Sequence, residues 1–177
     1  YTGTGDFDGR QIENTRALAS VYPNAVQLVT LAESDIQSIA DLAGKRVSVG
    51  APGSGTELNA RALLEANGVN YEDFTPQRLN FNETADAIRD GDIDAGFWSV
   101  GPPTSSILNL ATTRDIKLIA LTDEEILAAL DAEPTFAPYA LRKGIYEGVE
   151  APVNTISTPN VLYVNEEMDE ELAYQIT

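Results

Sequence analysis

Between residues 46 and 130 short apolar runs alternate with amphipathic segments, and this constrains the chain most, because only a helix-covered sheet accommodates such a rhythm. Residues 46–50 read as a strand leading to a helix over 57–67 that Gly68 closes. A strand near 77–79 precedes a helix over 83–90 closed by Gly91. Strand 93–99 passes through Gly101, Pro102 and Pro103 into helix 104–112, and strand 117–121 leads to helix 123–130. The alternation predicts an α/β fold with a mostly parallel sheet, its ligands received at the carboxyl ends of the strands. Ahead of it, residues 12–22 show helical apolar spacing and 25–31 a strand-like run. After it, the segment carrying Pro134, Pro138, Tyr139, Tyr146 and Pro152 reads as a long return connection before a strand at 161–164.

The run from Lys45 to Glu57 passes from strand through a glycine-rich turn into a helix start, which is the geometry of an anion site. Gly53 and Gly55 allow a tight turn and close approach, and Ser54 and Thr56 bring hydroxyls beside the unpaired N–H groups of the first helical turn. The plain alternative is that Ser54 is only a helix cap and the glycines only turn formers. Nucleotide motifs fail. Gly50 and Gly55 have phosphate-loop spacing but Thr56 stands where lysine is needed, and a dinucleotide fingerprint from Gly53 meets Leu58 instead of its third glycine. The 51–56 loop and the 99–104 loop are expected to face one crevice. Phe97 and Trp98 end a strand on opposite faces, so one belongs to the core and the other is free to reach the loop side, with burial of both the alternative.

The chain has no cysteine and no histidine, which removes thiol nucleophiles, Ser-His-Asp triads and the usual zinc, haem and iron–sulfur ligand sets. A formal charge of −17 opposes binding to nucleic acid and to anionic membrane surfaces. An anionic ligand therefore needs a local positive pocket, which helix N-termini and a few arginines can supply. Asp90, Asp92 and Asp94 alternate as calcium ligands do, but Ala95 and Gly101 occupy the positions that need glycine and glutamate. Asp6 and Asp8 read as turn residues, Arg16 and Arg61 as members of surface or structural ion pairs, and Arg142 and Lys143, beside Tyr139 and Tyr146 in the return segment, as cations better placed for a site. The chain opens on Tyr1 and breaks off in a helix-like pattern at Thr177, which leads us to expect a piece of a longer polypeptide.

Residues 41–56, Asp-Leu-Ala-Gly-Lys-Arg-Val-Ser-Val-Gly-Ala-Pro-Gly-Ser-Gly-Thr, followed by 90–98 and by Gly101-Pro-Pro-Thr104, closely resemble the TAXI type of TRAP transporter solute-binding proteins. The likeness runs from about Phe7 to Thr177 and includes Thr15 to Pro23, Ile145 to Gly148 and the final Tyr-x-Ile-Thr. It implies a type II periplasmic-binding fold of two lobes with mainly parallel, helix-covered sheets, the first lobe incomplete in this chain. Residues 1–28 and 156–177 then belong to the first lobe and 29–155 form the second, with hinge strands at 26–31 and 158–164. The implied function is that of an extracytoplasmic receptor, periplasmic or tethered outside the cell membrane. Such a receptor captures a small carboxylate or amino acid, typified by glutamate, glutamine and 2-oxoglutarate, and hands it to the membrane subunits of a TRAP transporter. No enzyme activity, cofactor, metal, nucleic acid or direct membrane insertion is expected; an enzyme or a sensory ligand-binding domain on the same fold is the rival reading. The expected ligand-binding residues are Gly53, Ser54, Gly55, Thr56, Phe97, Trp98, Gly101, Pro102 and Thr104, with the N–H groups at 54–56 holding the carboxylate.

Overall fold

The computed structural model describes Gly9 and residues 12–177, so the expected turns at Asp6 and Asp8 lie outside the described residues. The chain divides into two compact units, Pro23–Thr158 and a smaller one made of Tyr1–Tyr22 with Pro159–Thr177. Strands β1 (Thr15–Leu31) and β7 (Val153–Asn165) contribute residues to both.

In the larger unit the element order is β1, a 3-10 turn at Ile39–Leu42, β2 (Arg46–Ser48), α1 (Gly55–Ala66), β3 (Thr75–Gln77), α2 (Phe81–Asp90), β4 (Ala95–Val100), α3 (Ser105–Ala111), β5 (Ile116–Leu118), α4 (Asp123–Ala132), β6 (Ala137–Leu141) and β7. The sheet order is β3-β2-β4-β1-β7-β6, with β5 also paired to β1. β2 pairs parallel with β3 and with β4, whereas β1 runs antiparallel to β4 and β5, and β6 antiparallel to β7. The βα rhythm thus accounts for the parallel part, and the sheet as a whole is mixed.

The two faces of this sheet carry separate apolar clusters. Ala95 and Phe97 point into one with Val26, Leu28, Val47, Leu63 and Leu64; Trp98 points into the other with Ala25, Val29, Ile88 and Ile107. Strand alternation dictates the split. In register, Leu28 faces Phe97 and Gln27 faces Trp98. Helix ends follow local chemistry: Asn80 with Glu83 and Thr122 with Glu125 form reciprocal capping boxes, and Gly91 ends α2 with φ +80°.

Two expectations are overturned. The helix expected over 12–22 is strand, because β1 begins at Thr15 and runs through Pro23. Apolar residues at 17, 18, 21 and 22 suit either period. What decides is pairing within the smaller unit: the Glu166 N–H donates to the Asn14 carbonyl at 2.8 Å and Arg16 forms an ion pair with Glu166. The return segment expected from Asp131 contains a genuine strand, β6, despite Pro138. Leu121 N–H donates to Asn154 O at 2.9 Å, so the Asn154 backbone turns away from β6, and so does that of Ile156, two residues on, opposite Pro138. Proline's missing N–H therefore falls on the free edge of an edge strand, where it costs no ladder bond.

The smaller unit holds the outer parts of β1 and β7 and helix α5 (Glu170–Ile176), which Asp169 caps by accepting from Leu172 N–H. None of its described residues is buried, and Val21, Tyr22, Tyr163 and Tyr174 are each more than half exposed.

Gly96 in β4 leaves no room for a side chain: an added Cβ would overlap Thr84 Cγ2 and lie 3.1 Å from Trp98 Cζ3. Thr84 cannot yield, since it is fully buried and shares a 2.7 Å hydroxyl hydrogen bond with Ser48. Gly96→Ala is expected to destabilise the fold by about 1–3 kcal/mol, seen as a lower urea midpoint at unchanged m-value.

Candidate functional site

The carboxyl ends of β2 and β4 carry the two loops singled out from the sequence, and Ser99 links them. Its N–H donates to Thr56 Oγ1 at 3.3 Å and its hydroxyl accepts from Asn59 Nδ2 at 2.7 Å, so the start of α1 is fastened to the end of β4. Neither Asn59 nor Ser99 is marked by any sequence motif; only the adjacency of β2 and β4 brings them together.

The turn before α1 is shaped by a different glycine from the pair expected. Gly53 does adopt φ +68°, but a Cβ on Gly55 would meet open space. Close approach occurs at Gly50, φ +99°, where a Cβ would lie 2.8 Å from Thr56 Cβ and 2.9 Å from Ser54 Oγ. Gly50 thus lets the first turn of α1 fold down onto the end of β2.

The polar groups of the turn are only partly uncommitted. Ser54 N–H closes the turn onto Ala51 O at 3.0 Å, so it is not open to an incoming anion as expected. Ser54 Oγ caps α1 by accepting from Glu57 N–H at 3.2 Å, which leaves its own proton to donate. Gly53 N–H donates to Glu57 Oε2 at 2.7 Å, so an internal carboxylate already holds it. The Gly55 and Thr56 N–H groups have no backbone or side-chain acceptor among the described residues. Gly53 and Gly55 are exposed and Thr56 is buried.

Glu57 was not singled out from the sequence, yet it organises the turn. Its Oε1 accepts from Arg78 Nε at 2.6 Å, and Arg61, one helical turn on, lies 3.9 Å away. Burial pushes its carboxyl up, but the Gly53 N–H and the two arginines outweigh this and hold it below the ordinary carboxylate range. Arg61 also stacks over the Tyr71 ring, 4.9 Å from its centroid. The loop after β3 thus adds a cation, Arg78, beside the turn.

Phe97 and Trp98 do not line the site. Both are 0% exposed, because β4 is covered on both faces. Trp98 donates its Nε1–H to Ser106 Oγ at 3.0 Å and stacks with Phe81 at 6.4 Å. The expectation that one ring would reach the loop side is corrected by strand alternation operating in a sheet buried on two faces. Gly101, Pro102 and Thr104 remain partly exposed, in a loop containing a cis Pro102-Pro103 bond. Thr104 is the N-cap of α3, yet its hydroxyl makes no capping bond; its N–H instead donates to Tyr146 Oη at 3.2 Å. Tyr146 in turn donates to Gln27 Oε1 at 2.6 Å, and burial pushes its phenol up to about 12, so it stays a protonated donor at neutral pH.

Asp94 is structural: it accepts from the Arg46 N–H and guanidinium at 2.7 Å, and Arg46 holds its carboxyl below the usual range. Arg142 and Lys143 lie exposed after β6. A groove of about 570 Å³ between α4 and β6, lined by Ile126, Leu127, Leu130, Pro138 and Tyr139 among others, shares no residue with the two loops. Among the described residues no acidic cluster is arranged to hold a metal and no helix is long and apolar enough to cross a membrane.

This mixed sheet with loops at its strand ends is the type II periplasmic-binding fold. Its similarity to solved structures is of that kind: a periplasmic binding protein of an ABC transporter from Brucella ovis with glutathione bound (16% identity, TM-score 0.53, 90% of this chain and 39% of that one). A putative L-cystine ABC transporter protein from Listeria monocytogenes is similar at 18% identity and TM-score 0.51, over 92% of this chain and 54% of that one. So is the amino acid ABC transporter substrate-binding protein AbpA from Streptococcus pneumoniae bound to L-arginine, at 13% identity and TM-score 0.51, over 92% and 52%. The chain therefore spans between about two fifths and just over half of their length. Over residues 1–177 it matches the NMT1-like family, and it belongs to that family.

Because the folded-state pKa of Glu57 is depressed, its contribution to stability is present above the ordinary carboxylate value of about 4.3 and is lost as pH falls through the lower folded value. Glu57→Gln is expected to be less stable than the parent at pH 7, with the difference shrinking at pH 3. Urea unfolding at the two pH values reads this directly.

Proposed function

We propose that this protein is an extracytoplasmic solute receptor in which the start of α1 and the Gly101–Thr104 loop hold the carboxylate of a small amino acid or carboxylic acid. The observation that carries the reading is the pair of uncommitted N–H groups at Gly55 and Thr56, with the Ser54 hydroxyl proton beside them, at the strand-end edge of this fold. In a protein of net charge −17 an anion needs such a local positive place, and Arg61 and Arg78, which share the single carboxylate of Glu57, leave one net positive charge next to it.

The named neighbours carry glutathione or arginine, so small zwitterionic ligands suit the fold. The resemblance in residues 41–56 and 90–104 adds glutamate, glutamine and 2-oxoglutarate as candidates and the membrane subunits of a TRAP transporter as recipients. The mechanism is binding without turnover. A second surface closing over the ligand favours the closed state by the contacts it makes only there. Thr104 contributes its uncommitted hydroxyl, and Gly101 and Pro102 shape the rim.

Calorimetric titration with glutamate, glutamine, 2-oxoglutarate and succinate tests this. One compound is expected to bind at micromolar concentration or tighter, and Ser54→Ala to weaken it about tenfold to a hundredfold, the scale of one charge-assisted hydrogen bond. Thr56→Ala is expected to weaken binding and also to lower stability by about 1 kcal/mol, since it releases Ser99 N–H. Affinity unchanged in Ser54→Ala removes the assignment.

A further inference from the structure

The Gly101–Thr104 loop is tied at both ends to one buried polar pair. At its beginning, the Val100 carbonyl accepts from Gln27 Nε2 at 3.3 Å; at its end, the Thr104 N–H donates to Tyr146 Oη at 3.2 Å. The circuit closes through the 2.6 Å hydrogen bond from Tyr146 to Gln27. Gln27 lies in the central strand and Tyr146 comes from a turn 119 residues further on. They are 1% and 2% exposed, so the bond between them is shielded from solvent.

This pair is costly unless it has a purpose. Gln27 occupies an inward position between Ala25 and Val29, both fully buried in the cluster that includes Trp98 and Ile107. An apolar side chain there would serve the core at least as well, since buried amide and phenol groups must recover in hydrogen bonds what they lose in hydration. Among the described residues no buried side-chain polar atom lacks a partner, so the circuit is satisfied. Apart from the bond between them, the side-chain hydrogen bonds of Gln27 and Tyr146 among the described residues go only to the two ends of this loop.

We infer that Gln27 and Tyr146 are positioning residues that hold the Gly101–Thr104 loop in its ligand-receiving conformation, and so set affinity without touching ligand. This rests on the proposed role of that loop. Tyr146→Phe keeps the ring and removes only the Oη that spans Thr104 and Gln27. The double variant Gln27→Leu/Tyr146→Phe replaces both partners with apolar groups of similar shape, a change that is often nearly neutral for stability.

The test combines amide hydrogen exchange with the four-ligand titration and urea unfolding. In Tyr146→Phe, exchange at Thr104 is expected to accelerate about fivefold to tenfold, the scale of one hydrogen bond, while β1 and α1 amides keep their parent rates. Ligand affinity is expected to fall about tenfold in the same variant. In the double variant stability is expected to return toward the parent while affinity and the Thr104 exchange rate do not. The inference is overturned if Thr104 exchange is unchanged in Tyr146→Phe, or if the double variant recovers parent affinity together with stability. A parent protein that binds none of the four compounds counts against the ligand reading alone; the exchange result still decides whether the pair holds the loop.

Discussion

Strand β4 lies between β2 and β1, and its two aromatic residues point in opposite directions into two separate cores. Phe97 and Trp98 therefore hold both helical layers to one sheet, and each is worth several kcal/mol of burial on the usual scale for large side chains. The requirement that β4 be covered on both faces explains Gly96, which lets Thr84 and Trp98 meet over the backbone. It also explains why α1 and α2 both pack against β4, the strand that directly precedes neither of them. The loops at the strand ends start from positions set by this core, and their own hydrogen bonds then shape them.

Those loops combine openness with self-engagement. Glu57 puts a carboxylate on Gly53 and draws Arg78 against the turn, which rigidifies the approach to α1 while leaving the Gly55 and Thr56 amides unclaimed. Gly50 allows the compact packing of Thr56 that brings those amides to the edge of β2. On the other side of Ser99, a buried glutamine and tyrosine fix the second loop from beneath. Under the proposed receptor role such preorganisation raises affinity, because less conformational entropy is lost on binding.

Much of the larger unit was legible because its local signals agree with its tertiary structure. The strand within 46–50, the helices over 83–90 and 123–130 and the Gly91 stop are each written in residues with one dominant local preference, though the caps Asn80 and Thr122 were not read. Ser54 was legible as a cap, and its proposed part in a ligand site uses the same hydroxyl. The segment 12–22 was not legible, since its apolar spacing fits two periods and only pairing through Asn14 and Glu166 selects strand. Nor was β6, where Pro138 argues against a strand unless it is known to face a free edge. Arg78, Asn59, Gln27 and Tyr146 carry no spacing signal at all, because the contacts that matter join residues from 21 to 119 positions apart.

By itself the sequence determined the βα alternation, the glycine turn into α1 and the exclusion of histidine- and cysteine-based chemistry, since each of these depends on neighbours within a few residues. The tertiary structure alone decided that Phe97 and Trp98 are both core, that Gly50 and not Gly55 makes the close approach, and that Glu57 already holds Gly53. Burial and hydrogen-bond partnership are properties of what lies opposite in space, and strand order, which no local pattern encodes, determines what lies opposite.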